Sequence, residues 1–225
     1  MILFNKNNWW KLATVLLLLY VIVAGLLLPV PRREILNETI RNLYFHVPMW
    51  FGMIALTFWS LVQSIIYLRT QHFNNDNRAA AFAKVGFVYG VLGLATGAVW
   101  AKYTWGSYWS QDIKQITSAI IVLMYGAYFI LRDSIDDQRR KATVSAVYNI
   151  FAFAMVYPLM FKLPRMVNSL HPGNGGNPAL GDDSLADMMK PVFYPSVIAF
   201  ILLGVWISTL LYRYYRIDQK TKWEL

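Results

Sequence analysis

The sequence predicts an all-α, polytopic membrane protein of six transmembrane helices, with a tryptophan-rich loop on the external side. Three observations predict it. Of 225 residues, 57% are hydrophobic and only 15% are charged, too few charges for the surface of an ordinary soluble domain. The apolar residues fall into six long runs, each near the roughly 20 residues that cross a hydrocarbon core about 30 Å thick. Lysines and arginines gather beyond alternate ends of those runs, the pattern that membrane topology imposes. The expected organisation is one integral-membrane domain over residues 1–225, with approximate spans 12–30, 47–68, 84–101, 116–131, 143–161 and 192–212.

The first span follows Trp9 and Trp10, which read as an interfacial anchor. Its apolar run is long for a signal peptide, and no small-x-small cleavage site follows, so it reads as an uncleaved helix. Between the first two spans, Ile35, Leu36, Ile40, Leu43, Tyr44 and Val47 recur at helical spacing, with Arg33, Glu34, Asn37, Glu38 and Arg41 between them. That pattern predicts a short amphipathic helix on the membrane surface, leading into His46 and the second span. The polar stretch Gln71-His72-Phe73-Asn74-Asn75-Asp76-Asn77 reads as the loop before the third span, with His72 a solvated loop residue. Lys84 sits at the start of the third span, where its stem can snorkel. Gly86, Gly90, Gly93 and Gly97 lie within about 60° of one another on that helix. Two readings stand: close packing of a second helix against small residues, or room for a ligand at the outermost glycine. The fourth span is short for the bilayer. Asn149, inside the fifth, is expected to hydrogen-bond a neighbouring helix. Pro172-Gly-Asn-Gly-Gly-Asn-Pro178 is too rich in turn residues for regular structure and is expected to stay mobile until something binds.

Charge sets the orientation. With the N-terminus in the cytoplasm, the cytoplasmic segments hold 13 lysines and arginines and the external segments 8, which favours both termini inside. The net charge of +9 is thereby distributed as topology demands, and no basic face or motif supports nucleic-acid binding. Cysteine is absent, which excludes thiol relay and thiolate ligation by this chain. No Asp, Glu, Lys or Arg falls in the middle of a span, which removes the usual basis for an ion-coupled pump.

The stretch from Trp100 through Trp105, Gly106, Tyr108 and Trp109 to Asp112 carries three indoles and two phenols within ten positions. A large flat apolar surface beside water suits a planar aromatic ligand. His46 and His171 fall on the same side by this topology. Two neutral imidazoles and an aromatic platform are what a haem site needs. Singly, a histidine or tryptophan at a membrane boundary is an amphipathic anchor; the argument rests on their joint placement. Asp112 has two readings, an N-cap of the fourth helix or an orienting partner for a histidine. Arg32, Arg33, Arg41, Lys102, Lys114 and Arg165 are candidate partners for the haem propionates. No nucleophile or acid–base pair stands out, so a binding and delivery role fits better than catalysis by this chain.

Three stretches carry a family resemblance: Leu43-Tyr-Phe-His46-Val-Pro48, Ala95-Thr-Gly97 through Trp105-Gly106-x-x-Trp109-x-x-Asp112, and Asn168-Ser-Leu-His171. Together with the length and six-span layout, they resemble the CcmC family of cytochrome c maturation, haem-handling membrane proteins with a tryptophan-rich WWD signature. The resemblance implies a bound haem b at the outer face of the bacterial cytoplasmic membrane, with His46 and His171 as axial ligands. It places Trp100, Trp105, Gly106, Tyr108, Trp109 and Asp112 in the haem-facing loop. It also implies partners: the haem chaperone CcmE as recipient, the ABC-transporter subunits CcmA and CcmB, and the small subunit CcmD. Gln111 stands where the family pattern has a tryptophan, and Lys114 stands near the place of an arginine. The loop is also similar to that of CcsA-type proteins, which use additional histidines within the membrane that this chain lacks. The alternative functions are a permease subunit of an ABC-type haem exporter, or a CcsA-like haem-handling component of a cytochrome c synthetase.

Overall fold

The computed structural model describes residues 8–32, 35–171 and 185–223, with side chains described as far as Asp218. Arg33, Glu34 and the turn-rich segment from Pro172 lie outside the described residues. Among the described residues the structure is all-helical: α1 (Trp9–Leu27), α2 (Leu43–Thr70), α3 (Phe73–Trp105), α4 (Ile113–Asp133), α5 (Gln138–Tyr157) and α6 (Lys190–Trp223), with short 3-10 and π turns between them. All six are long and apolar enough to cross a membrane. The chain is a multi-pass membrane protein.

The helices extend beyond the apolar runs that betray them. α3 begins at Phe73, so Asn74 to Asn77 form its first turns and do not form a loop. The reason is tertiary. Asp76 is 4% exposed and accepts both arms of the Arg132 guanidinium, Nη1 at 2.7 Å and Nη2 at 2.6 Å. A bidentate pair of this kind holds a polar turn helical against its propensity for loops. Only Gln71, in the left-handed region at φ 56°, and His72 remain between α2 and α3. The surface segment before α2 is a 3-10 helix over Asn37–Asn42. Asn42 keeps helical dihedrals, so this turn runs straight into α2 and puts His46 in its first turn. Arg41 reaches back to the end of α1, donating to the carbonyls of Leu28 at 2.6 Å and Gly25 at 3.0 Å, as a cation does at a helix C-terminus.

α2 is the central helix, packing on α3, α5 and α6, while α1 lies chiefly against α6. The glycine face of α3 receives α2 in antiparallel register. A Cβ at Gly86, Gly90, Gly93 or Gly97 would meet Thr57, Met53, Trp50 or His46 respectively, the nearest such approach in each case being 2.7–3.0 Å. Both sequence readings of the glycines therefore meet in one surface. Three positions let the helices approach closely, and the outermost makes room for the imidazole of His46.

Two intrahelical prolines expose how the bundle closes. Pro48 cannot donate to the carbonyl of Tyr44, and the buried Ser196 hydroxyl on α6 donates to it instead. Pro195 likewise leaves the carbonyl of Pro191 free, and Tyr20 of α1 donates to it at 3.1 Å. In a bilayer each freed backbone group needs such a replacement. Deeper in the bundle, Asn149 of α5 donates to Ser60 at 2.7 Å and Ser64 at 2.9 Å of α2, the interhelical bond expected of it.

Candidate functional site

At one end of the bundle a cavity of about 400 Å³ is lined by Ile35, Leu36, His46, Gly97, Trp100, Ala101, Thr104, Trp105, Leu170 and His171. It therefore gathers the start of α2, the outer end of α3 and the segment after α5. Its walls are mostly apolar, the composition of a site that takes an organic ligand and orients it with a few polar groups. His72 lies at the opposite end, exposed in the α2–α3 turn.

His46 is 8% exposed. Its ring lies edge-on to Trp50 and Trp100, with centroids 6.4 and 5.9 Å away, and rests against Gly97, whose missing side chain leaves it space. Nδ1 lies 3.0 Å from the Thr96 hydroxyl. That hydroxyl lies 2.8 Å from the carbonyl of Leu92 and 3.2 Å from that of Gly93; with its proton on either carbonyl it accepts from the Nδ1–H tautomer of His46, in which Nε2 keeps its lone pair.

His171 is held differently. Its Nδ1 lies 2.8 Å from Oδ1 of Asp112, whose side chain is 1% exposed. Its ring meets the indole of Trp105 at 4.8 Å in a T-shaped contact. Asp112 is the hub of this corner. Oδ1 also accepts the backbone N–H of Lys114, capping α4. Oδ2 accepts the Ser169 hydroxyl at 2.8 Å and the Leu170 N–H at 2.6 Å. Burial works to raise the Asp112 pKa; the bonds accepted from His171, Leu170 and Ser169 outweigh it and hold the carboxyl well below the usual carboxylate range. The residue is thus both an N-cap and the partner of a histidine. A carboxylate on Nδ1 fixes the tautomer that bares Nε2.

The remaining loop residues serve the edges. Trp100 donates from Nε1 to Thr39 at 3.4 Å, tying the 3-10 turn to α3. Gly106 ends α3 with φ 81°, a left-handed cap that suits glycine, and its carbonyl accepts from Lys102 Nζ at 2.9 Å. Tyr108 and Trp109 are exposed, at 59% and 47%, and do not line the cavity. Gln111 stands before Asp112 in the left-handed region at φ 57° and is exposed. Of the basic residues considered for propionates, Arg33 lies outside the described residues; Arg41, Lys102 and Arg165 direct donors at backbone carbonyls, and none of the described ones lines the cavity. Sequence reasoning passed over Thr96, Thr104, Ser169 and Leu170. All four lie inside stretches that carry the family resemblance, the one signal available for them.

Among the described residues no group of three or more His, Asp or Glu side chains could hold a bare metal ion. His46 and His171 both line the aromatic cavity, each with Nδ1 beside a protein oxygen.

The family model described as "CcmC: Heme exporter protein C" matches residues 2–224. The heme exporter protein C of Bradyrhizobium diazoefficiens is 31% identical over 205 residues, covering 88% of this chain and 73% of that protein. Its counterpart in Paracoccus denitrificans is 28% identical over 188 residues, with 81% and 74% covered. That of Escherichia coli K12 is 22% identical over 174 residues, with 77% and 69% covered.

Proposed function

Since the chain belongs to the heme exporter protein C (CcmC) family, we propose that it handles haem for cytochrome c maturation, holding haem b between His46 and His171 and passing it on. The observation that carries this reading is the convergence of the two imidazoles on one aromatic cavity, each with Nδ1 engaged by a protein oxygen. Haem brings four nitrogens of its own to its iron, and His46 and His171 would supply the remaining two ligands. Trp100 and Trp105 would offer it the apolar cavity wall, Gly106 turns the chain at the end of α3, and Asp112 secures His171. Tyr108 and Trp109, exposed beside the cavity, form the face a recipient meets.

In this reading the histidine end is the external face of the bacterial cytoplasmic membrane, with both termini in the cytoplasm, as the lysine and arginine count favours. The recipient is the haem chaperone CcmE, and the chain works alongside CcmA, CcmB and CcmD. The chain's contribution is presentation: a fixed haem orientation and a water-poor pocket. An absorption spectrum of detergent-purified protein tests the core of it. Wild type supplied with haem gives a Soret band of six-coordinate haem, and His46→Ala or His171→Ala loses it. A double His46→Ala/His171→Ala protein with the wild-type spectrum would sink the ligand assignment.

A further inference from the structure

The two histidines of the cavity are backed by unlike partners. His171 gives its Nδ1–H to a buried carboxylate at 2.8 Å. His46 meets only neutral groups: its Nδ1 lies 3.0 Å from the Thr96 hydroxyl, which donates toward Leu92, and its ring also bonds the Gly93 backbone. A carboxylate behind an imidazole raises the basicity of the far nitrogen and fixes the ring; a hydroxyl does the second far better than the first. The scaffolds differ as well. His46 is part of a continuous helix wedged between two indoles and a glycine. His171 lies on an irregular segment after Met166, and Asp112 ties it to the cavity wall by taking the ring, the Leu170 N–H and the Ser169 hydroxyl at once.

We infer that Asp112 is a positioning residue that sets the rank of the two ligands: it fixes His171 in the Nδ1–H tautomer and makes it the stronger imidazole donor, leaving His46 the weaker. The inference rests on the reading that both imidazoles take haem iron. With haem bound, His46 would be the more easily exchanged of the two ligands and His171, held by Asp112, the more firmly kept.

The chain contains three histidines, His46, His72 and His171, which makes the test direct. In detergent-solubilised apo-protein labelled with ¹⁵N-histidine, with His72→Gln removing the solvated resonance, His171 shows the Nδ1–H tautomer. Asp112→Asn converts it to a mixture, while the cap of α4 survives because Asn caps as well as Asp. On addition of haem, Asp112→Asn lowers ferric-haem affinity about tenfold or more and lowers ferrous affinity less, because the lost negative charge matters most to the more positive iron. Thr96→Val lowers both by about threefold and to the same extent. Equal losses in the two variants, or an Nε2–H tautomer at His171 in the unsubstituted apo-protein, overturns the inference. A wild-type protein that takes up no haem in either oxidation state defeats the haem reading and the ligand ranking with it, while the apo tautomer still tests whether Asp112 positions His171.

Discussion

The two ends of this bundle both bury polar side chains and use them differently. At the end where α3 begins, Asp76 and Arg132 saturate each other in two short bonds, and a little deeper Asn149 spends its amide on two serines. At the other end, His46 and His171 each engage a single nitrogen and line an open cavity with the other side of the ring. Asp76 and Arg132 close on one another, whereas the two histidines keep one edge of the ring toward a cavity. Burial alone does not separate the two, since Asp76 and Asp112 are 4% and 5% exposed; the partner does.

Substitutions can test that contrast. The largest effect is expected at the saturated end. Arg132→Ala strands a buried carboxylate and should cost about 3–5 kcal/mol, read as a large drop in thermal stability in detergent, while replacing Asp76 and Arg132 together by Leu and Met should recover most of it. The haem spectrum of whatever folds should be that of wild type. An altered axial-ligand signature in Arg132→Ala would break the division between the ends.

Next comes the same substitution made twice on one glycine face. Gly86→Ala and Gly97→Ala each place a methyl 2.8 and 2.7 Å from a side chain of α2, and overpacking of this kind costs about 1–3 kcal/mol. At Gly86 the displaced group is the Thr57 methyl, so only stability should fall. At Gly97 it is the imidazole of His46, so haem uptake should fall as well. A Gly97→Ala protein with normal uptake would show that the ring has slack.

A smaller effect is expected at Asn149. Asn149→Ala should cost about 1 kcal/mol, the usual worth of a hydrogen bond between membrane helices, with no change in the spectrum.

The smallest effect concerns pH. The Asp112 carboxyl is held below its ordinary range, so the stability it contributes is fully present above the ordinary carboxylate pKa of about 4 and is lost only as pH falls through its depressed value. Hydrogen exchange at the Leu170 amide, corrected for intrinsic rate, should therefore show unchanged protection between pH 7 and pH 5. Loss of protection in that window would mean that the carboxylate is not what holds the segment.

The sequence made the six helices legible because a bilayer imposes a long local signal, and local signals survive in one dimension. It concealed the start of α3. Asn74, Asn75, Asp76 and Asn77 have the composition of a turn, and what keeps them helical is Arg132, 56 positions from Asp76. The site followed the same rule. His46, His171 and the tryptophans could be named from residue type and from the family resemblance. The division of labour among them could not, because it depends on contacts between distant positions: Thr96 with His46, Asp112 with His171, Gly97 with the ring of His46. The lining role of Trp105 and the outward exposure of Trp109 look alike in a motif and differ only once α3 ends at Gly106 and turns the chain.

The hydroxyl that Ser196 gives to the carbonyl of Tyr44 has a consequence for biosynthesis. Helices enter the membrane in chain order, and α2 arrives with Pro48 one turn into it and an unsatisfied carbonyl two residues before His46. Nothing in α1, α3, α4 or α5 supplies the missing donor; it comes with α6. The ligand-bearing tip of α2 therefore stays unfinished until the last helix has inserted, and a nascent or C-terminally truncated chain would present His46 on a loosened turn. The carbonyl two residues before His46 is thus satisfied only by the last helix of the chain.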